Sequence, residues 1–218
     1  MNKIRLRHNK TGKAVYISHL DLMATMRRAL TRAGIQLSYS QGFNPHPYMS
    51  VALPLTVGCG SFCELMDIGL LDITQGSDLV ELLTAEMPAG LEISEAYESK
   101  RKFGDIAWIE IIGQLYYDDG APEDALDRLG ECFRSKSIVI SKKTKRGISD
   151  IDIAPHIMDV EFSGEGVISM KAKISAQNPS LNPDNIMSAL GGDHITLRPD
   201  FAVFARTELF DSEMKKFR

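Results

Sequence analysis

The chain's 218 residues are 44% apolar and 25% charged, with a formal net charge of −4. This length holds one large domain or two small ones with a real core, and the composition excludes a disordered chain. The charge is split: residues 1–59 carry eight Lys/Arg against one acid, Asp21, and the remainder carries −11, which suggests one polyanion-facing surface on an acidic body.

The opening M-N-K-I-R-L-R has no apolar signal-peptide core, and no apolar run nears the roughly 20 residues of a membrane helix, so cytoplasmic residence is expected. Ile4–Arg7 and Val15–Ile17 read as strands around the turn Asn9-Lys10-Thr11-Gly12. Ser18 with Asp21 makes a capping pattern for a helix whose buried stripe is Leu22, Met26, Ala29, Leu30 and Ala33, and Gly34 stops it. Ile35–Ser40 reads as a strand. Gln41–Pro47 cannot be regular structure, because Gly42 permits positive φ and Pro45 and Pro47 remove two backbone donors. Extended runs follow at Met49–Leu55 and Phe62–Leu70. Asp78 and Glu81 cap a second helix with Leu79, Leu82, Leu83 and Met87 inward, and Leu91–Glu98 is the next strand.

Lys100–Asp105 is a polar junction, after which the order repeats. Ala107–Tyr116 is a strand, and Pro122 opens a helix with Leu126, Leu129 and Phe133 inward. Ser137–Ile140 is a strand. Ile151–Phe162 is extended but broken by Pro155, and Gly164-Glu165-Gly166 turns the chain into the strand Val167–Ser175. Asn182 and Pro183 start a short helix ending at Gly191, Ile195–Leu209 is extended, and the charged tail Asp211–Arg218 is expected to fray. The fold expected is α+β: tandem ferredoxin-like β-α-β-β-α-β units with antiparallel sheets, at 1–99 and 106–210, the second with extra extended material.

Three groups of residues carry functional potential. Arg27, Arg28 and Arg32, with Lys3, Arg5, Arg7, Lys10 and Lys13, suit phosphates as point charges and planar forks. On and beside the 41–47 loop, Tyr39 and Phe43 would stack on a splayed nucleotide while Gln41, Asn44 and His46 hydrogen-bond it. Lys142, Lys143, Lys145 and Arg146 form a basic tongue. His46 is the weak candidate for acid–base catalysis; His19 reads as a first-turn helix residue. Asp150 and Asp152 are expected to face solvent. The odd cysteine count, Cys59, Cys63 and Cys132, fits a reducing compartment. Cys59-x3-Cys63 matches the first half of a C-x3-C-x2-C cluster motif, but its third position is Met66, so no iron–sulfur cluster or other cofactor is expected here.

The string S-H-L-D-L-M…R-R-A-L-x-R-A-G…L-x-Y-S-Q-G-F-N-P-H-P…A-L-P-L-x-V-G, with S-D-I-D-I-A-P-H-I and F-A-R-T-E-L-F later, resembles the bacterial radical SAM-linked protein family, a domain of unknown function. Members of that family occur beside or fused to a radical SAM protein. The resemblance therefore implies a partner that carries the cluster. The first third also resembles the RAMP-superfamily CRISPR repeat-processing endoribonucleases, which are tandem ferredoxin-like RNA binders; their Gly-rich C-terminal loop has no counterpart, Gly191-Gly192 being too short. The expected function is a non-catalytic RNA-binding accessory protein presenting transfer or ribosomal RNA to a radical SAM enzyme. The alternatives are a metal-independent endoribonuclease using His46, and a protein–protein scaffold without RNA affinity.

Overall fold

The computed structural model describes residues 2–71, 78–144, 147–191 and 197–218. The chain divides into two compact units, Met1–Asp105 with Arg218, and Ile106–Phe217. Both are mixed α+β with antiparallel strand pairing.

The first unit runs β1 (Asn2–Lys10), a 3-10 turn (Gly12–Tyr16), α1 (His19–Arg32), β2 (Met49–Val51), β3 (Gly60–Leu70), α2 (Leu79–Ala85) and β4 (Ile93–Glu98). Its sheet order is β4-β1-β3-β2. Ile4 and Leu6 on β1 and Met66 and Ile68 on β3 meet Leu22, Met26 and Leu30 of α1 and Leu79 and Leu83 of α2 in one core. The α1 start is set locally: the Ser18 hydroxyl accepts from the Asp21 N–H at 3.1 Å and donates to the Asp21 carboxylate at 2.7 Å. Gly34 follows the helix at φ +72°.

The second unit runs β5 (Trp108–Tyr116), α3 (Ala125–Phe133), β6 (Val139–Thr144), β7 (Gly147–Asp152), β8 (Ile157–Ser163), β9 (Ile168–Ser175), α4 (Pro183–Leu190) and β10 (Phe201–Phe210). Its main sheet order is β10-β5-β9-β8, and β6 and β7 form a separate two-stranded hairpin. Asn182 and Asn185 close a reciprocal capping box at the start of α4.

Several expectations are corrected. Val15–Ile17 is no strand: the backbone folds into a 3-10 turn, with the Ala14 N–H donating to Thr11 and the Ile17 N–H to Ala14. Ile35–Ser40 makes only two isolated bridges, Leu37 to Leu70 and Tyr39 to Pro47, and the extended run after it shrinks to Met49–Val51. Asp78 stands at the α2 N-cap without a side-chain bond. A turn at Pro122 delays α3 to Ala125, and Leu126 is 38% exposed rather than inward, as is Leu82 of α2 at 37%. The tail does not fray. Phe217 is fully buried, and the Asp211 carboxylate accepts from the N–H groups of Glu213 and Lys215.

No described helix is long and apolar enough to cross a membrane.

Candidate nucleic-acid interface

Burial of Leu22, Met26, Ala29 and Leu30 turns the opposite side of α1 to solvent, and that side carries Arg27, Arg28, Thr31 and Arg32. Arg27, Arg28, Thr31 and Arg32 line an open cleft of 370 Å³ whose remaining wall is Tyr39, a half-exposed ring. Arg28 and Arg32 also line an adjoining hollow of 380 Å³, whose other walls are Thr25 and the residues 85–88 that follow α2. Arg32 is positioned by Glu86: its Nε donates to the carboxylate at 2.6 Å, and its Nη2 to the Glu86 carbonyl. Two guanidinium groups, those of Arg27 and Arg28, thus stand on the outer face with Arg32 fixed beside them. Thr31, which sequence reasoning missed, belongs to this wall because it lies one turn beyond Arg27; its hydroxyl donates to the Arg27 carbonyl at 2.9 Å.

The 41–47 loop is an exposed tip on a closed neck. The Ser40 N–H donates to the His46 carbonyl at 2.8 Å, and the His46 N–H donates to the Ser40 hydroxyl at 2.9 Å. Gly42 sits at φ +125°, a conformation that side chains with a Cβ rarely adopt. Gln41, Phe43, Asn44 and His46 are all exposed, and the Phe43 ring touches solvent over its whole surface. The Phe43 ring thus contributes no apolar burial to the fold.

The strand arginines are not part of this surface. Arg5 is 0% exposed: its Nε and Nη2 fork onto Asp67 at 2.7 and 3.0 Å, Nη2 also donates to the Arg101 carbonyl at 2.8 Å, and the Phe103 ring lies 4.4 Å from the guanidinium. Arg7 is buried with its Nε 3.7 Å from Glu95. Both guanidinium groups, expected to face phosphates, are thus buried beside carboxylates. Lys3 pairs with Asp67 at 2.7 Å, and buried Lys10 donates to the carbonyls of Val15 and Ile17 at 3.2 and 3.0 Å. The physical reason is that β1 is buried on both faces. Ile4 and Leu6 pack under the helices, and the alternate residues meet carboxylates of neighbouring strands.

The basic tongue is described only in part. Lys142 is half-buried and donates to the Ser180 carbonyl at 2.7 Å; the side chain of Lys143, and Lys145 and Arg146, lie outside the described residues. Asp152 is a structural acceptor, taking the N–H groups of Ile138 and Ala154 at 2.9 and 3.0 Å, and these bonds hold its carboxyl below the usual range. Cys59 and Cys63 are buried, and Cys63 Sγ lies 3.7 Å from Ser61 Oγ. Among the described residues no three His, Cys, Asp or Glu side chains gather as a metal site.

The model of a family described as "Uncharacterized protein conserved in bacteria (DUF2344)" matches residues 3–183, a span that contains the arginine cleft and the loop. No curated protein matches the sequence. Among solved structures, a chain of the crystal structure of a Cbf5-Nop10-Gar1 complex is similar, with a TM-score of 0.52 and 10% identity over 94% of this chain and 48% of that one. This chain therefore spans about half the length of that neighbour, and the likeness is one of fold.

Proposed function

The chain belongs to this family of uncharacterized bacterial proteins, and on that footing we propose that it is an RNA-binding accessory protein serving a radical SAM enzyme. The observation that carries the reading is the grouping of Arg27, Arg28, Arg32 and Tyr39 around one open cleft, on the same unit as the exposed 41–47 loop. Guanidinium forks supply sequence-independent attraction to phosphates, and exposed rings supply stacking for unpaired bases. The architecture suits the role. The orders β4-β1-β3-β2 and β10-β5-β9-β8 both follow a 4-1-3-2 path, which we read as two ferredoxin-like units in tandem, with β6–β7 inserted in the second. In this reading the domains are 1–99 and 106–210, the RNA is transfer or ribosomal, and the cluster chemistry belongs to the partner.

The test is a salt titration of binding to a mixed-sequence single-stranded oligoribonucleotide. Arg27→Gln/Arg28→Gln removes two phosphate contacts and is expected to lower the slope of log K against log salt by about 1.4. Since both residues are exposed, the variant is expected to keep the wild-type melting temperature. An unchanged slope and affinity would sink the reading. Two other results would replace it. Cleavage in EDTA that disappears in His46→Ala would favour the endoribonuclease. Stable co-purification of a radical SAM protein without RNA affinity at low salt would favour the scaffold.

A further inference from the structure

The two hollows beside α1 are separate in shape but share Arg28 and Arg32. These two arginines are four residues apart, about 6 Å along the helix axis, and form the ridge between the hollows. Thr25, Arg28 and Arg32 fall at i, i+3 and i+7, so one helical face is turned toward residues 85–88. Arg27 and Thr31, four apart, form the flank toward Tyr39. The apolar walls differ. One hollow offers the half-exposed Tyr39 ring, and the other the aliphatic surface of Ala85, Met87 and Pro88. At 370 and 380 Å³ each hollow lies at the small end of the range for sites that take one ligand, on the order of 300–1,000 Å³.

We propose that these hollows hold consecutive nucleotides of one single strand, with a base stacked on Tyr39, its neighbour lodged against Met87 and Pro88, and the intervening phosphate on the Arg28–Arg32 ridge. This deepens, and rests on, the RNA-binding reading. Of the nucleic-acid forms, only a base that is unstacked and unpaired can lie on an exposed aromatic ring, and a duplex does not present one. Glu86 takes part by fixing the guanidinium of Arg32 before any ligand arrives, so less side-chain freedom is lost on binding. Its carboxylate also lowers the net charge of the second hollow, which makes Arg28 the stronger phosphate contact of the two.

The experiment uses the full chain and three probes: uridine monophosphate, a labelled oligouridylate, and the same oligouridylate annealed to its complement. The single strand is expected to bind at least about tenfold more tightly than the duplex, and far more tightly than the mononucleotide. Tyr39→Ala is expected to weaken oligouridylate binding by about 5- to 150-fold, the usual worth of one base on an aromatic side chain, with Tyr39→Phe restoring it. Met87→Ala is expected to weaken the oligonucleotide and leave the mononucleotide unchanged, because a single nucleotide takes the tyrosine side. Wild-type affinity in Tyr39→Ala overturns the proposal. So does equal binding of strand and duplex; if Arg27→Gln/Arg28→Gln still weakens both, the RNA-binding reading survives. Failure of every RNA probe to bind the wild-type protein removes that reading and the proposal together.

Discussion

Replacing Asp67 by alanine is expected to cost about 3–5 kcal/mol of stability, the scale for breaking a buried ion pair by removing one member. The Asp67 carboxylate is 4% exposed and receives three donors: Arg5 Nε at 2.7 Å, Arg5 Nη2 at 3.0 Å and Lys3 Nζ at 2.7 Å. Lys3 is half-exposed and can turn to water, but Arg5 is 0% exposed and cannot. The substitution removes both bonds of the guanidinium fork and leaves in place the bond to the Arg101 carbonyl and the contact with the Phe103 ring. The pair itself need not be a net gain, since desolvating both ions offsets much of their attraction. Arg5→Met/Asp67→Leu is therefore expected to recover most of the loss. Urea denaturation of the two variants and the parent decides the matter; a loss under about 1 kcal/mol for Asp67→Ala would show that Arg5 reaches solvent.

Acid is expected to remove about 3 kcal/mol of stability through His8 alone, between pH 6.5 and pH 4. His8 is fully buried on β1, and neither ring nitrogen has a hydrogen-bond partner among the described residues. Burial drives its pKa from 6.5 down to about 4; the nearby Glu64 charge opposes this shift and that of Lys10 adds to it. Above pH 6.5 the imidazole is neutral whether the chain is folded or not, and the full stability is present. Between pH 6.5 and 4 only the unfolded chain takes the proton, so stability falls as pH falls. Below about pH 4 the folded protein is protonated there too, and the loss levels off. His8→Leu is expected to flatten this part of the stability profile relative to the parent, leaving the slope that carboxylates contribute. Parallel profiles for the two proteins would refute the assignment.

Much of the scaffold was legible because its signals act over a few residues. Ser18 and Asp21 read as a cap and are one; Leu22, Met26, Ala29 and Leu30 read as a buried stripe and are one. Asn182-Pro183 starts a helix as read, and Gly34 ends one. Two misreadings came from the same kind of signal. Val15–Ile17 has strand-forming residues, yet Gly12 at φ +55° and the carbonyl of Thr11 coil it into a 3-10 turn. Pro122 has the preference for a first helical position, yet it initiates a turn and the helix begins later. Propensity ranks local options, and packing chooses among them.

The candidate surface was half legible. Arg27, Arg28 and Arg32 had to be exposed once Leu22, Met26, Ala29 and Leu30 faced the core, because helical periodicity separates the two sets by itself. Charge counting misled at β1. There Lys3, Arg5 and Arg7 alternate with Ile4 and Leu6, yet Lys3 meets water while both arginines are buried.

By itself the sequence determined where α1 and α4 begin and end, which side of α1 is apolar, and that residues 41–47 form a loop. These follow from capping, periodicity and the φ limits of Gly and Pro, all short-range. Only the tertiary structure decided which basic residues meet water, since the carboxylate that neutralises Arg5 lies 62 residues away and is matched to it by strand register. The same holds for Tyr39 beside the α1 arginines and for Glu86 on Arg32: each contact joins segments that only chain packing brings together.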